Sequence, residues 1–107
     1  MRAVRSAPPE IVSVAADRLA IRGALTFATA RLASAAGLRA IGASAARSLT
    51  VDFAAVTAAD SAGLAVCLVW LSTARRDGRE LRFLNLPAHI RSLARIRGVD
   101  SLIEHES

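Results

Sequence analysis

The chain has 107 residues, a formal net charge of +5 and a hydrophobic content of 53%. That length fits one domain of about two layers of secondary structure, and the longest apolar run, Ala62 to Leu71, is far short of the roughly 20 residues a membrane span needs. All 14 basic residues are Arg and are dispersed, and 4% aromatic content without Tyr offers no base-stacking platform; specific nucleic-acid binding is disfavoured, while a surface for acidic protein or anionic lipid headgroups stays open.

Met1 to Glu10, with Pro8-Pro9, is expected to form a flexible leader; it has two Arg but no apolar stretch after them, so no signal peptide is visible. Ile11 to Ala15 and Arg18 to Arg22 are strand candidates around an Ala16-Asp17 turn, together an antiparallel hairpin. Gly23-Ala24-Leu25 is expected to leave the sheet. Thr26 then caps a helix from Phe27 to about Ile41, with Gly37 a candidate early stop. Gly42 to Arg47 is a loop. In the next strand, Ser48 to Phe53, Leu49, Val51 and Phe53 alternate with Thr50 and Asp52. Ala54 to Ala59 breaks that alternation.

The most informative stretch follows. Asp60 is a good helix N-cap, its carboxylate able to accept from the first free N–H groups. Ser61, Ala62 and Gly63 fill the first turn and offer bare backbone that another surface can approach closely. Leu64, Cys67, Leu68 and Leu71 make one apolar face at helical spacing. Ala65, Val66, Val69 and Trp70 make the opposite face apolar too, until Thr73 and Arg76. A helix apolar nearly all round is either enclosed by its own domain or covered by a partner. Val66 and Trp70 are therefore either core residues or interface anchors. The lone Cys67 has no disulfide partner within the chain and suits a small buried hydrophobe in a reducing cytoplasm.

Arg75-Arg76-Asp77-Gly78 is a strong helix stop. Glu80 to Leu86 is the next strand, and Pro87 the first residue of a helix whose buried stripe is Ile90, Leu93, Ala94 and, as a candidate, the stem of Arg97; it turns Arg91 and Arg95 outward and ends at Gly98. Val99 to Ile103 is either a last strand or a terminal turn, and Glu104 to Ser107 a tail. Strand, helix, strand from Ser48 to Leu86 requires a crossover and hence a parallel pair. The expected fold is α/β: one domain, with a mixed sheet of four or five strands and helices packed against it.

Leu49-Thr50-Val51-Asp52-Phe53, then Asp60-Ser61-Ala62-Gly63-Leu64, an apolar helix ending Arg76-Asp77-Gly78, and Leu81-Arg82-Phe83 resemble the STAS domain, the domain of sulfate transporters and anti-sigma-factor antagonists. The resemblance spans Ile11 to Ile103. In partner-switching antagonists the loop is Asp-Ser-Ser-Gly and its first Ser accepts phosphate from an anti-sigma kinase. The resemblance therefore implies Ser61 as a phosphoacceptor, with Ala62 in place of the second Ser. The closing segment from Phe83 to Val99 is most similar to the MlaB branch, small cytoplasmic STAS subunits of the phospholipid ABC transporter that maintains outer-membrane lipid asymmetry. For this chain the resemblance implies a cytoplasmic protein, peripheral at the inner membrane, docked on the transporter ATPase and supporting its assembly or activity. An antagonist bound by an anti-sigma kinase is the alternative. The partner-binding residues expected are Thr57, Asp60, Ser61, Ala62, Gly63, Val66 and Trp70, in the loop from Thr57 to Gly63 and on the following helix.

No catalytic constellation is legible. The phosphate-loop, dinucleotide-binding and nucleophile-elbow motifs are absent, and no His or Lys is placed to complete Asp60 and Ser61 as a catalytic pair. His89 and His105 have no Cys or carboxylate at metal-ligand spacing. No cofactor is expected. Asp52 is either a buried strand carboxylate or an acid near the Ser61 loop.

Overall fold

The structure, a computed structural model, describes residues 9–103. Most of the expected leader, and the whole expected tail, fall outside the described residues; Pro9 is buried and Glu10 already belongs to the first strand. The elements run β1 (Glu10–Ala15), β2 (Arg18–Leu25), α1 (Ala30–Ala43), β3 (Ser48–Ala59), α2 (Ser61–Arg76), β4 (Glu80–Leu84), α3 (Ala88–Ile96) and α4 (Asp100–Ile103). The four strands form one sheet in the order β1-β2-β3-β4. β1 and β2 are antiparallel, whereas β2–β3 and β3–β4 are parallel. The expected hairpin, crossover and mixed sheet are all present.

Period-2 patterning decides which side of the sheet is covered. Leu19, Val51 and Phe83 lie in one register row, with Leu49 beside Leu81, and all five are buried. The alternate row, Arg18, Thr50 and Arg82, stays open to solvent to differing degrees. Phe53 and Phe83 meet edge to face, ring centroids 5.5 Å apart, the arrangement favoured by aromatic quadrupoles. α1 and α2 pack on one another; α1 also packs on β1 and β2, and α2 on β4, α3 and α4.

Two strands outrun their sequence patterns. β2 does not leave the sheet at Gly23. The register shifts on either side of Arg22 and Gly23, and Leu25 still pairs with Ala59. Gly23 has φ +109, a conformation glycine reaches without steric cost. The irregularity scrambles the alternation while the backbone ladder continues. β3 likewise runs through Ala54 to Ala59, so the expected loop before Asp60 is strand. Those residues bury little, and pairing with β2 holds them extended.

The expected cap at Thr26 is replaced. Helix α1 starts at Ala30 after Thr29, whose buried hydroxyl donates to Ala24 O at 2.8 Å and accepts from Thr26 N at 3.0 Å. Gly37 does not end the helix. It faces Trp70, whose indole a Cβ at position 37 would overlap, and Trp70 Nε1 donates to Ser34 O at 3.1 Å. The stops at Gly78 and Gly98 hold, with φ of +70 and +74. Each forms a paired Schellman closure: Gly78 N to Arg75 O with Arg79 N to Ala74 O, and Gly98 N to Arg95 O with Val99 N to Ala94 O. Pro87 caps α3 rather than opening it, and Val99 to Ile103 ends in the short helix α4, with Ile103 buried.

Candidate functional site

Strand β3 delivers the chain directly into α2, and Asp60 makes the joint. One carboxylate oxygen accepts from Ala62 N at 2.9 Å, the expected cap. The other accepts from Phe27 N at 3.0 Å, 33 residues away. One side chain therefore fixes both the start of α2 and the loop that leads into α1. Held this way, Phe27 turns out to solvent with 86% of its surface exposed.

Between that phenylalanine, the first turns of α2 and the end of α3 lies an open groove of about 520 Å³. Ser61, Ala62, Ala65 and Leu68 form its α2 side; Leu93, Arg97 and Val99 face them. Ser61 is the first residue of α2 and is exposed. Its hydroxyl lies at the positive end of the helix dipole, where an added phosphate gains backbone N–H partners.

The expected partner-binding residues divide by position. Asp60, Ser61 and Ala62 stand at the groove or its rim. Thr57 is exposed on β3 but does not line it. Gly63 is buried, and its bare backbone serves an internal contact instead of a partner. A methyl group there would come 2.8 Å from Leu25 O and 3.2 Å from Ile90 Cδ1. Val66 and Trp70 are not interface anchors: they are 4% and 1% exposed within their own core. The reason is that α1 crosses α2 on that side and Gly37 leaves a slot for the indole. What α2 presents to solvent is the narrower stripe of Ser61, Ala65, Val69 and Ser72, with Arg75 and Arg76 at its end.

Sequence reading missed Phe27, Leu93 and Arg97 as groove residues. Phe27 had one signal: a large apolar residue beside polar turn residues, with no periodic partners of its own.

The remaining chemistry-bearing groups lie elsewhere. Asp52 is half-buried, paired in register with Ala20 and Leu84, and its carboxylate accepts from Ala54 N and from Asn85 Nδ2 at 3.0 Å. It sits well back along β3 from the Ser61 turn. Burial pushes the Cys67 thiol up to about 12, so it remains a neutral core hydrophobe. His89 is exposed, and among the described residues no three His, Cys, Asp or Glu cluster as a metal site. No helix of the described residues is long and apolar enough to cross a membrane.

Comparison with known proteins agrees with this architecture. The family described as "Mlab, STAS domain" matches residues 12–104. Among solved structures, the anti-sigma factor antagonist SpoIIAA in its unphosphorylated form is similar at TM-score 0.68 and 18% identity, over 92% of this chain and 88% of that one. The Bacillus cell fate determinant SpoIIAA in the phosphorylated form gives TM-score 0.66 at 18% identity, over 92% and 91%. At that identity the likeness concerns the fold. No curated protein matches. With the family match covering nearly all of the described residues and the sheet order, crossover and capped α2 all in place, the chain belongs to the MlaB-type STAS domain family.

Proposed function

We propose that this chain is a non-catalytic docking subunit that sits on the cytoplasmic ATPase of a phospholipid ABC transporter, is peripheral at the inner membrane through that partner, and supports its assembly or activity. The observation that carries the reading is the open groove beside the first turns of α2, with a nearly fully exposed phenylalanine at its rim, in a chain of the MlaB-type family. A large apolar side chain standing out of the surface beside an open apolar recess suits a protein contact, because docking removes both from water. The test is co-purification of the tagged chain from its native cells. An ABC ATPase together with its permease is expected; a serine-kinase-like anti-sigma factor in their place refutes this reading.

A second reading has its own observation. Ser61 is exposed at the N-terminus of α2, and the fold resembles an antagonist known in phosphorylated and unphosphorylated forms. In this reading the chain is an anti-sigma-factor antagonist switched at Ser61. A phosphate there carries about −1.5 to −2 charge into an apolar contact beside the Asp60 carboxylate, which expels a partner even as the helix N-terminus tolerates it. In either reading Ser61→Glu is expected to weaken partner co-purification at least about tenfold, a loss of about 1.4 kcal/mol, with circular dichroism and melting temperature unchanged. Undiminished binding by that variant removes Ser61 from the interface.

A further inference from the structure

The groove does not stop at Leu68. A second open recess begins there and continues along α2 past Ser72 to Arg75 and Arg76, with Leu102 of α4 on its other side. The two recesses share Leu68. Ser61, Ala65, Leu68, Ser72 and Arg76 follow one another at spacings of four, three, four and four, which keeps them on one side of a helix. At 1.5 Å per residue that track is about 22 Å long, or about four helical turns.

Its chemistry is one-sided. The middle is small or apolar, so a backbone can approach closely. Arg97 stands on the wall of the first recess and Arg75 and Arg76 at the end of the second. Neither recess is lined by an Asp or Glu. The bias extends along the three longer helices: α1, α2 and α3 carry Arg31, Arg39, Arg75, Arg76, Arg91 and Arg95 and no acidic residue. The acidic groups nearby are the α2 caps Asp60, already held by Ala62 N and Phe27 N, and Asp77, together with Asp100 at the start of α4.

From this the geometry points to the occupant: a single amphipathic helix of a partner protein, its apolar stripe seated on Ala65 and Leu68 and its flanking Asp or Glu residues meeting Arg97, Arg75 and Arg76. The inference rests on reading the α2 groove as a docking surface, and it adds the shape and charge of what docks. A four-turn helix matches the track in length and in its i, i+3, i+4, i+7 anchors. The Arg rim selects acidic flanks, steers the encounter and rejects basic helices. An anionic bilayer satisfies the charge but is too flat to fill two recesses, one walled by Leu93 and the other by Leu102.

The test places a photo-crosslinking amino acid at Ala65 and, separately, at Ser72, in the full chain in its native cells, and sequences the attached peptide. Both positions are exposed, and melting curves check that the carriers fold. A crosslinked peptide with apolar residues at helical spacing and acidic flanks is expected from both sites. Its yield is expected to fall about tenfold in the double variant Arg76→Glu, Arg97→Glu, and also as added salt screens the charges. Crosslinks to lipid, to a peptide lacking acidic flanks, to nothing, or in a yield indifferent to the charge reversal overturn the inference. The identity of the protein that supplies the peptide is a separate outcome: an acidic helix from something other than a transporter ATPase leaves the groove's occupant as inferred and removes the transporter reading.

Discussion

Arg79 shows how one side chain can hold two layers together. It follows the stop of α2, yet its guanidinium reaches the far end of α1, donating to Ile41 O at 2.6 Å, Ser44 O at 2.9 Å and Ala46 O at 2.8 Å. Ile41 O belongs to the last turn of α1, where the helix dipole is negative, and Ser44 O and Ala46 O to the chain just beyond it, so a planar cation with several donors suits the three together. Arg79→Ala is expected to cost about 2 kcal/mol, in the range for hydrogen bonds to charged groups, read as a lower urea midpoint. Arg79→Lys recovers only part, because a point ammonium cannot span three carbonyls. Cys67 gives a second prediction at this scale. Its thiol is raised from 9.0 to about 12 by burial, so a folded-state pKa stands above the unfolded one. Below about pH 9 the thiol is neutral in both states and its contribution to stability is intact. Above that, the unfolded chain ionises first and stability falls, by at most about 1.4 kcal/mol per pH unit. Denaturation midpoints compared between the native chain and Cys67→Ala are expected to diverge only on this alkaline side; parallel curves refute the assignment.

Elements in this fold meet where side chains are missing. Gly37 lets the Trp70 indole lie against α1, and Gly63 lets the first turn of α2 close on Leu25 and Ile90. Both glycines cost helix propensity, about 1 kcal/mol each against Ala, and both are retained at points of helix contact. Two glycines in the same helix separate the effects. Around Gly42 a Cβ meets nothing within 4 Å, so Gly42→Ala is expected to raise the melting temperature, by up to about 1 kcal/mol of stability. Gly37→Ala has the same propensity gain but drives a methyl into the indole, and a net loss of about 1–3 kcal/mol from overpacking is expected. Thermal melts of both variants, with near-ultraviolet circular dichroism reporting the Trp70 environment, check the opposite signs. Equal behaviour contradicts the α1–α2 contact.

For the whole molecule, helices cover one face of the sheet and leave the alternate rows of the other with charged and polar residues. The groove lies on the helical layer, where α1, α2 and α3 carry no acidic residue. Docking there, as proposed, would leave the core untouched. Trp70, 1% exposed and bonded to Ser34 O, is therefore expected to emit as a buried indole in the isolated chain, with no further blue shift when a partner binds. A blue shift on binding returns Trp70 to the interface and contradicts the packing described.

The fold class, the β1–β2 hairpin, the parallel crossover through α2, the Asp60 cap and the glycine stops were legible in the residues alone. Each is a local signal: period-2 or period-3.6 patterning, a side chain that caps its own helix, a glycine at positive φ. The sheet limits of β2 and β3 were not, because backbone pairing across chains of small residues leaves no mark on the pattern. Nor was the division of α2 into core and open face. Val66, Val69 and Trp70 are equally apolar in sequence, and only the passage of α1, made possible by Gly37, determines which of them are covered. The groove belongs to that second class: Phe27, Ser61 and Arg97 come from three separated segments, and only the folding of β2, α2 and α3 onto one another brings them to a common surface.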